Sequence, residues 1–591
     1  MKTTNLEPKH KEKGSALQAA KSIWALMDNE RRNLLFALLA ILTVSGINVS
    51  APLLFGYTVD HFIAEKNFDG VLKVAAALFV LFAIGFGTGY VQMKLMGSIG
   101  QRMLFKLRNT IFEKLQSLPI SYFNRNKAGD LISRINNDTE KLSQLFSETI
   151  MRFTGSIFIL IGTAVFILVI NWKLGLIALA PAIVTLLFTQ LISGWIKAKS
   201  KASLAATGAM SGSLQESLDN FKVIVAFDRR DYFRMRFAQV NENNFKASLN
   251  AGLANGIFSP VYDLASNIAQ LSVIGVAISF IIAGNLTIGA LLSFLIYLDR
   301  FYQPLRQIAQ LWSSLQIALA GWDRVSAILE EVNDLEVKAS QEKANEAFVL
   351  EFKDVMFRYP DSEDGTKGKE VLHKESFQLA PGKTYALVGP TGGGKTTTAS
   401  LMARLYDPTE GHVFINGKDI RTYEPAERAK RIGFILQEPF LFTGSLLDNI
   451  FYGNDLYENK TTEEKIAALK ASSLQNLLMR FDGGLEAQIN GSGDGMSLGQ
   501  KQLIAFMRAV LREPDLLILD EATANIDTVT EQLLETTLQA LPKKTTRVII
   551  AHRLNTIENA DEIFFVNDGK ITPAGSFDEA VKLLMSGKRE S

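Results

Sequence analysis

The sequence predicts two domains in series: an all-α domain that spans a membrane six times, followed by an α/β domain. Three observations lead to this multi-domain fold class. Six long apolar stretches occupy the first half of the 591-residue chain. In the second half, a strand-like segment runs directly into a glycine-rich loop. The two halves also differ in charge, because residues 1–340 contain 33 basic and 24 acidic residues, whereas the whole chain has a net charge of only +1.

The six apolar stretches are each close to the ~20 residues that a helix needs to cross a bilayer. The alternative is a set of buried helices in a soluble core, but six such runs in about 300 residues exceed what a soluble domain normally hides. The last two contain polar interruptions. The stretches are 33–56, 72–93, 151–171, 174–195, 257–283 and 288–320.

The connections between the stretches alternate in length and charge. Long connections follow the second and fourth stretches, and residues 101–152 and 197–247 contain nine Lys or Arg each. Basic loops near membrane ends stay in the cytoplasm, so we expect both termini to be cytoplasmic. The protein is expected to be a multi-pass protein of the cytoplasmic membrane, in contact with membrane lipids. Residues 1–32 are expected to form a cytoplasmic segment or elbow helix. Residues 1–21 are not a secretory signal peptide, because they contain several charged residues and no apolar core.

The long connections are too apolar and periodic to be loops, and they indicate helices that continue from the membrane into the cytoplasm. Each contains a turn, at 122–130 and at about 215–227. Gly129 is expected to break the helical pattern of the first. Helix pairs that extend so far into the cytoplasm are expected to contact another domain there.

Charges within the membrane segments are few, and each is a candidate for function because an ionisable group in the membrane is costly. Asp263 either faces a cavity or substrate, or makes a structural hydrogen bond to a neighbouring helix. Both possibilities stay open at this point. Asp299 and Arg300 are expected to form an internal ion pair.

The second half begins after a polar linker at 332–347, and we expect one domain over 348–585. The apolar strand at 385–388 leads into an eight-position phosphate-binding loop in the required strand-to-helix context. Its glycines let backbone N–H groups approach phosphates at a helix N-terminus. Lys395 is expected to reach the β- and γ-phosphates of ATP, and Thr396 to hold Mg²⁺. The candidate ATP-binding residues here are Gly389, Pro390, Thr391, Gly392, Gly393, Gly394, Lys395, Thr396 and Thr397.

Further candidates follow two later apolar strands. Asp520 and Glu521 directly follow the strand at 516–519. At a strand end beside the phosphate-binding loop, the Asp520 carboxylate can bind Mg²⁺ and the Glu521 carboxylate can polarise the attacking water. His552 follows the strand at 548–551. A phosphate contact is the expected role of this histidine.

These motifs, in this order, resemble the nucleotide-binding domain of ABC transporters, and the resemblance covers residues 348–585. It implies that Tyr359 stacks on adenine, that Gln437 of the Q-loop senses Mg²⁺, that Asp527 belongs to the D-loop and that His552 is the switch histidine. It also implies that Ser497, Gly499 and Gln500 belong to the signature motif, which contacts the nucleotide of a partner subunit.

The first half is similar to the exporter type (type IV) of ABC transmembrane domain. This likeness implies a transmembrane domain over 33–331, with the turns at 122–130 and 215–227 as coupling helices. The chain would then be a half-transporter that works with a second subunit. The catalytic group implied by the two likenesses comprises Glu521, His552 and Gln437, with ATP and Mg²⁺ as cofactors.

The signature motif departs from the family at Leu498, where glycine is usual, and the upstream X-loop glutamate is replaced, at about Gly491. The loop of one subunit and the signature of the other enclose ATP in this family. A homodimer would carry the altered signature in both sites. We therefore expect a heterodimer with one consensus and one degenerate site. The alternative is a homodimer that tolerates leucine at position 498.

The expected function is ATP-driven export of amphipathic drugs or similar hydrophobic compounds, with Asp263 as a candidate substrate contact. The alternatives are an exporter dedicated to a lipid, peptide or siderophore, and a regulatory or channel-like ABC protein. The near-zero net charge gives no reason to expect nucleic acid as a partner. The absence of cysteine excludes disulfides and thiol chemistry.

Overall fold

The structure is a computed structural model. It describes residues 30–333, 335–340, 342, 344–360, 368–472, 474–481, 484–490, 495–520, 528–550, 558–575 and 577–586. The described residues form two compact units. One comprises residues 30–114 and 131–330, and the other comprises residues 115–130 together with those from 331 onward.

The first 300 described residues are helical. Three π-helical turns interrupt the helices, at Val59–Ile63, Arg134–Asp138 and Leu145–Thr149. The helices are α1 (Arg31–Thr58), α2 (Phe68–Ser117), α3 (Ile120–Arg125), α4 (Ala128–Ser133), α5 (Thr139–Gln144), α6 (Ile150–Ile170), α7 (Trp172–Asp219), α8 (Phe221–Ala226), α9 (Arg230–Gly256), α10 (Phe258–Ile282) and α11 (Ile288–Glu330).

Five helical segments in the described residues are long and apolar enough to cross a membrane, and they contain α1, α2, α6, α7 and α10. α11 is also long enough, at 43 residues. Its hydropathy is lower, because Asp299 and Arg300 lie near the middle of its first 20 residues. The amino-terminal domain is therefore a helical membrane domain, in which the chain crosses the membrane several times.

Each long connection begins as a continuation of a membrane helix, as predicted: α2 has 50 residues and α7 has 48. The position of the first break differs from the prediction. Gly129 lies inside α4, and the helical pattern is interrupted at Asn126 and Lys127 instead. The short helix before that break, α3, starts after Pro119, which is extended and whose ring holds φ at a value that a helix N-terminus accepts. The second turn contains α8, bounded by Asn220 and Phe227.

α1 and α11 approach each other closely. A Cβ atom at Gly289 would lie 2.1 Å from the carbonyl oxygen of Gly56, so only glycine fits there. Pro52 lies inside α1 and has no N–H to donate to the carbonyl of Asn48, four residues earlier. Arg300 of α11 donates to that carbonyl at 2.5 Å and to the Asn48 side chain at 2.8 Å.

The expected ion pair between Asp299 and Arg300 is therefore wrong. Arg300 satisfies a backbone carbonyl that proline leaves without its helical donor, which is the kind of compensation that membrane helices require. Within the described part of the chain, no ion pair joins these two adjacent side chains. Successive residues on a helix point about 100° apart, so Asp299 faces a different side of α11.

The second unit contains two main sheets. One is four-stranded in the order β2-β1-β4-β5, and the other is six-stranded in the order β12-β11-β3-β10-β9-β6, with β3, β6, β9, β10 and β11 parallel. A two-stranded ribbon pairs β7 with β8. The strands are β1 (Leu350–Arg358), β2 (Glu370–Leu379), β3 (Thr384–Val388), β4 (Glu410–Ile415), β5 (Lys418–Asp419), β6 (Ile432–Ile435), β7 (Gly444–Ser445), β8 (Gln488–Ile489), β9 (Leu516–Asp520), β10 (Thr546–Ile550), β11 (Glu562–Asn567) and β12 (Lys570–Pro573).

Helices flank these sheets. The central strands β3 and β9 are almost entirely buried, and three of the five residues of β10 are buried, as expected of parallel strands covered on both faces. The helices of this unit are α12 (Lys395–Met402), α13 (Pro425–Arg431), α14 (Leu446–Ile450), α15 (Thr462–Ala471), α16 (Leu498–Val510), α17 (Thr528–Gln539) and α18 (Phe577–Ser586). This is the predicted α/β domain.

Part of the predicted linker is fastened to this domain by Arg404. The Arg404 side chain is almost completely buried and donates to the carbonyls of Leu335 and Glu336, at 3.2 and 2.9 Å. Asp407 pairs with the same guanidinium at 2.9 Å, which compensates its buried charge. Farther along the linker, the N–H of Ala344 donates to the carbonyl of Gly417.

Candidate nucleotide-binding site

The glycine-rich loop lies between β3 and α12, as its sequence predicts. Gly392 and Gly394 adopt φ angles of +84° and +116°, which only glycine reaches without strain. A Cβ at Gly389 would lie 2.0 Å from the carbonyl oxygen of Val566, and one at Gly393 would lie 2.5 Å from the same atom. The loop therefore packs directly against the end of β11 and has no room for a side chain at Gly389 or Gly393.

Lys395 is the first residue of α12 and is buried. Its ammonium group donates to the carbonyls of Gly389 and Pro390, at 2.8 and 3.1 Å. The side chain thus folds back over the loop and holds its charge beside the helix N-terminus, where backbone N–H groups add positive potential. The arrangement suits the phosphates of a nucleotide.

Asp520 and Gln437 lie at the same edge of the six-stranded sheet. Ile550 of β10 is paired with both Leu387 and Asp520, so Asp520 ends its strand level with the start of the loop. Gln437 follows the end of β6, the edge strand next to β9. Thr396, on α12, is exposed. A carboxylate, an amide oxygen and a hydroxyl are the oxygen donors that Mg²⁺ prefers, so these residues fit that ion.

Tyr359 lies beside α12. Its hydroxyl group is 3.0 Å from the hydroxyl of Thr397, which is buried in the first turn of that helix. The ring is half-buried and packs edge-on against Phe357 and Tyr406. An aromatic face at this distance from the loop is compatible with the predicted adenine contact.

The signature motif begins α16. Ser497 is the N-cap: its side chain accepts a hydrogen bond from the N–H of Gln500, and the Gln500 side chain accepts one from the N–H of Ser497. The amide of Gln500 also donates to the carbonyl of Arg480 at 3.0 Å. The Gln500 side chain is therefore used within the domain, to fix the start of the helix. Leu498, the first helical residue, leaves 37% of its surface exposed, whereas Gly499 is buried.

Three predicted site residues lie outside the described residues: Glu521, Asp527 and His552. The strands that precede two of them are described. β9 ends at Asp520, and β10 ends at Ile550, paired with it. The predicted X-loop position, Gly491, also lies outside the described part of the chain.

Comparisons with known proteins agree with this geometry. Residues 34–305 match the family described as "ABC transporter transmembrane region", and residues 372–524 match the family described as "ABC transporter". Over 564 residues the chain is 33% identical to the "Uncharacterized ABC transporter ATP-binding protein YfiC" of Bacillus subtilis, which covers 95% of this chain and 92% of the relative.

This chain belongs to the ABC transporter family. It combines the membrane region and the ATP-binding domain of an exporter half-transporter in one polypeptide, and it is an ATP hydrolase coupled to transport. It is 32% identical over 562 residues to the "Fatty acid ABC transporter ATP-binding/permease protein" of Mycobacterium bovis, which spans 95% of the chain and 84% of the relative. It is also 32% identical over 502 residues to the "Probable multidrug resistance ABC transporter ATP-binding/permease protein YheH" of Bacillus subtilis, which spans 84% and 72%.

In this ABC transporter, Arg508 is a site residue that the sequence reasoning missed. It lies on α16 and donates to the carbonyl of Phe440, in the loop that follows Gln437, and to the carbonyl of Asn449. Burial lowers the pKa of its guanidinium, which stacks near Phe442 and Tyr452. Arg508 therefore ties the Q-loop to the signature helix. An arginine on the buried side of an amphipathic helix was the available signal.

Asp263 of the membrane domain lines a small cavity of about 150 Å³ together with Asp299 and Arg306. Arg306 pairs with Asp263 at 3.1 Å, and Ser259 also lies within hydrogen-bonding distance of that carboxylate. Both alternatives predicted for Asp263 are thus represented, a cavity and a contact to a neighbouring helix. Its substrate role stays a prediction, and its negative charge is compensated.

Proposed function

We propose that this chain is one subunit of a heterodimeric exporter in the cytoplasmic membrane, with both termini in the cytoplasm. The exporter moves amphipathic drugs or similar hydrophobic compounds. Its two ATP sites are unequal: one pairs this chain's phosphate-binding loop with an intact signature from the second subunit, and the other contains Leu498. Closure of the ATP-bound domains drives the membrane helices between inward-open and outward-open states.

The observation that supports an unequal pair is the surface at the start of α16. An anion binds a helix N-terminus only when it approaches the backbone N–H groups closely. The Leu498 side chain is partly exposed at the first helical residue, and its branched side chain occupies space that a glycine leaves open. Ser497 and Gly499 are unchanged, so the altered site keeps the polar groups that would contact a γ-phosphate. In this proposal Leu498 hinders only the approach of the phosphate to them.

We infer that the groups that hydrolysis requires belong to the phosphate-binding loop and to the residues that follow β6, β9 and β10. Lys395 would neutralise the β- and γ-phosphates. Thr396, Gln437 and Asp520 would hold Mg²⁺, which offsets the charge of the phosphates. Glu521 would accept a proton from the attacking water as the bond between the γ-phosphorus and the bridging oxygen breaks, leaving ADP and phosphate. His552 would contact the γ-phosphate.

One feature of the membrane domain supports the proposed substrate class. One apolar groove of about 670 Å³ lies between α7 and α10, lined by residues such as Val184, Phe188, Leu264 and Ile268. Such a surface accommodates hydrophobic compounds of different shapes. Relatives are named for multidrug resistance, for fatty acids and for lipid A-core. A lipid is therefore the second candidate substrate.

The subunit composition is tested by purifying the full chain alone, in lipid nanodiscs, and measuring its oligomeric state and ATPase activity. We expect little hydrolysis from the wild-type chain alone and a gain of at least about tenfold from Leu498→Gly, because the obstructed phosphate approach is relieved in both sites. Thr462→Gly is the matched control, because Thr462 is the exposed first residue of α15, which also begins with a capping box. Full transport by a wild-type homodimer would overturn the heterodimer.

A further inference from the structure

α3 contacts the ATP-binding domain through Asn124. The side-chain amide of Asn124 donates a hydrogen bond of 2.7 Å to the hydroxyl of Tyr406. Both residues belong to the same compact unit. Asn124 is exposed and Tyr406 is half-buried, so the contact joins a surface residue of α3 to the edge of the domain core.

Tyr406 lies four residues after the end of α12 and packs against two other rings. Its ring is 5.4 Å from that of Tyr359, with an angle of 85° between the planes, and 5.5 Å from that of Phe357. Tyr359 and Phe357 are also edge-to-face, at 4.9 Å. This aromatic triad of Phe357, Tyr359 and Tyr406 has the geometry that aromatic pairs prefer, and each ring restricts the others.

The triad connects to the phosphate-binding helix at a second point. The hydroxyl of Tyr359 lies 3.0 Å from that of Thr397, which is 6% exposed and two residues after Lys395. A continuous series of contacts therefore runs from Asn124 to Tyr406, from Tyr406 to Tyr359, and from Tyr359 to the first turn of α12.

We propose that Asn124 and Tyr406 are positioning residues for the base of the nucleotide: α3 sets the orientation of the Tyr359 ring through Tyr406. This inference rests on the proposed function, in which Tyr359 stacks on adenine. A displacement of α3 that breaks the Asn124 contact removes one restraint on the orientation of the Tyr406 ring, and the edge-to-face contact between Tyr406 and Tyr359 then shifts with that ring. Affinity for the base then depends on where α3 lies, and by linkage the bound base strengthens the hold on α3.

The test compares two ligands that share their phosphates. ATP contains the adenine ring, whereas inorganic tripolyphosphate contains none. The full-length transporter is placed in lipid nanodiscs, with whichever subunit it purifies, and the Kd of each ligand is measured with Mg²⁺. Asn124→Ala should raise the Kd for ATP about three- to tenfold, the range expected for one lost hydrogen bond, and leave the Kd for tripolyphosphate unchanged. Equal weakening of both ligands, or of neither, would overturn the proposal.

Tyr406→Phe keeps the ring and removes only the hydroxyl, so it should reproduce the effect of Asn124→Ala. The double variant should bind ATP no more weakly than either single variant, because both remove the same contact. Losses that simply add would show that the two residues act independently, contrary to the proposal. Arg125→Gln is the control on the same helix, since Arg125 pairs with Glu331 at 3.3 Å and should leave ATP binding unchanged.

Tyr359→Ala separates the two levels of the proposal. If this variant binds ATP normally, the assigned adenine contact is wrong and the proposed site must be revised. If Tyr359→Ala weakens ATP binding while Asn124→Ala and Tyr406→Phe do not, the adenine contact stands and only the positioning by α3 fails.

Discussion

Arg300 donates to the backbone carbonyl of Asn48 at the point where Pro52 deprives α1 of a hydrogen bond. The arginine of one membrane helix thus repairs the backbone of another. Because an unsatisfied carbonyl in the bilayer has no water to bind, this contact couples a proline and an arginine that are 248 positions apart in sequence.

We expect Arg300→Met to lower the stability of the membrane domain by roughly 1–3 kcal/mol, the cost of one unsatisfied buried polar group. Pro52→Ala should restore much of that loss, because the new N–H can donate to Asn48. Thermal unfolding in nanodiscs measures both. If Pro52→Ala fails to rescue Arg300→Met, the carbonyl is not the group that Arg300 satisfies.

The charge compensation at Asp263 leads to an expectation for substrate preference. Asp263→Asn should leave the efflux of cationic dyes within about twofold of wild type, because Arg306 already offsets the carboxylate. Arg306→Gln should instead raise the efflux of a cationic dye relative to a neutral one. Dye efflux from cells measures both ratios. A selective loss of cationic efflux in Asp263→Asn would identify Asp263 as a direct cation contact.

Lys395→Ala should weaken ATP binding by more than about tenfold, because a charge-assisted contact to the phosphates is lost. Lys383→Ala is a suitable control. Lys383 makes a surface ion pair with Glu562 at 2.6 Å, and such pairs contribute little. Binding is measured with a fluorescent ATP analogue. Equal effects of the two substitutions would argue against the assigned role of Lys395.

Glu521→Gln should retain ATP binding and lower hydrolysis about 10²- to 10⁴-fold, the usual contribution of a general base. The glutamine keeps the size of the side chain and cannot accept the proton from water. Single-turnover hydrolysis, together with the amount of ATP retained after gel filtration, measures both effects. Normal turnover in this variant would require another proton acceptor.

The sequence predicts the parts of this molecule that depend on local pattern. The apolar stretches and the strand before Gly389 are such patterns, and the helices and the loop lie where they indicate. The prediction that Gly129 breaks the helical pattern is wrong, because a glycine is tolerated inside a helix. The helix is interrupted instead at Asn126 and Lys127, after α3. The partner of Arg300 was missed because successive side chains on a helix point about 100° apart, so the contact of Arg300 depends on which neighbouring helix it faces.

The contacts around the site depend on tertiary structure in the same way. Nothing in the spacing of Asn124 and Tyr406 indicates that they meet, since 282 positions separate them. Capping at Ser497 could be predicted from the residue types, because a serine followed three positions later by glutamine forms a capping box. The hydrogen bond from the Gln500 side-chain amide to the carbonyl of Arg480 could not be predicted from the sequence.

The hold of Arg404 on Leu335 and Glu336 limits the slack between the membrane domain and the motor. Only five residue steps separate the end of α11 at Glu330 from the first fastened carbonyl at Leu335. A fully extended chain covers about 3.3–3.6 Å per residue, so this tether cannot exceed about 18 Å. If the end of α11 moved farther than this from Leu335, the hydrogen bonds of Arg404 to Leu335 and Glu336 would have to break. Arg404 lies two residues beyond the end of the phosphate-binding helix, so the strain would reach the ATP-binding domain there.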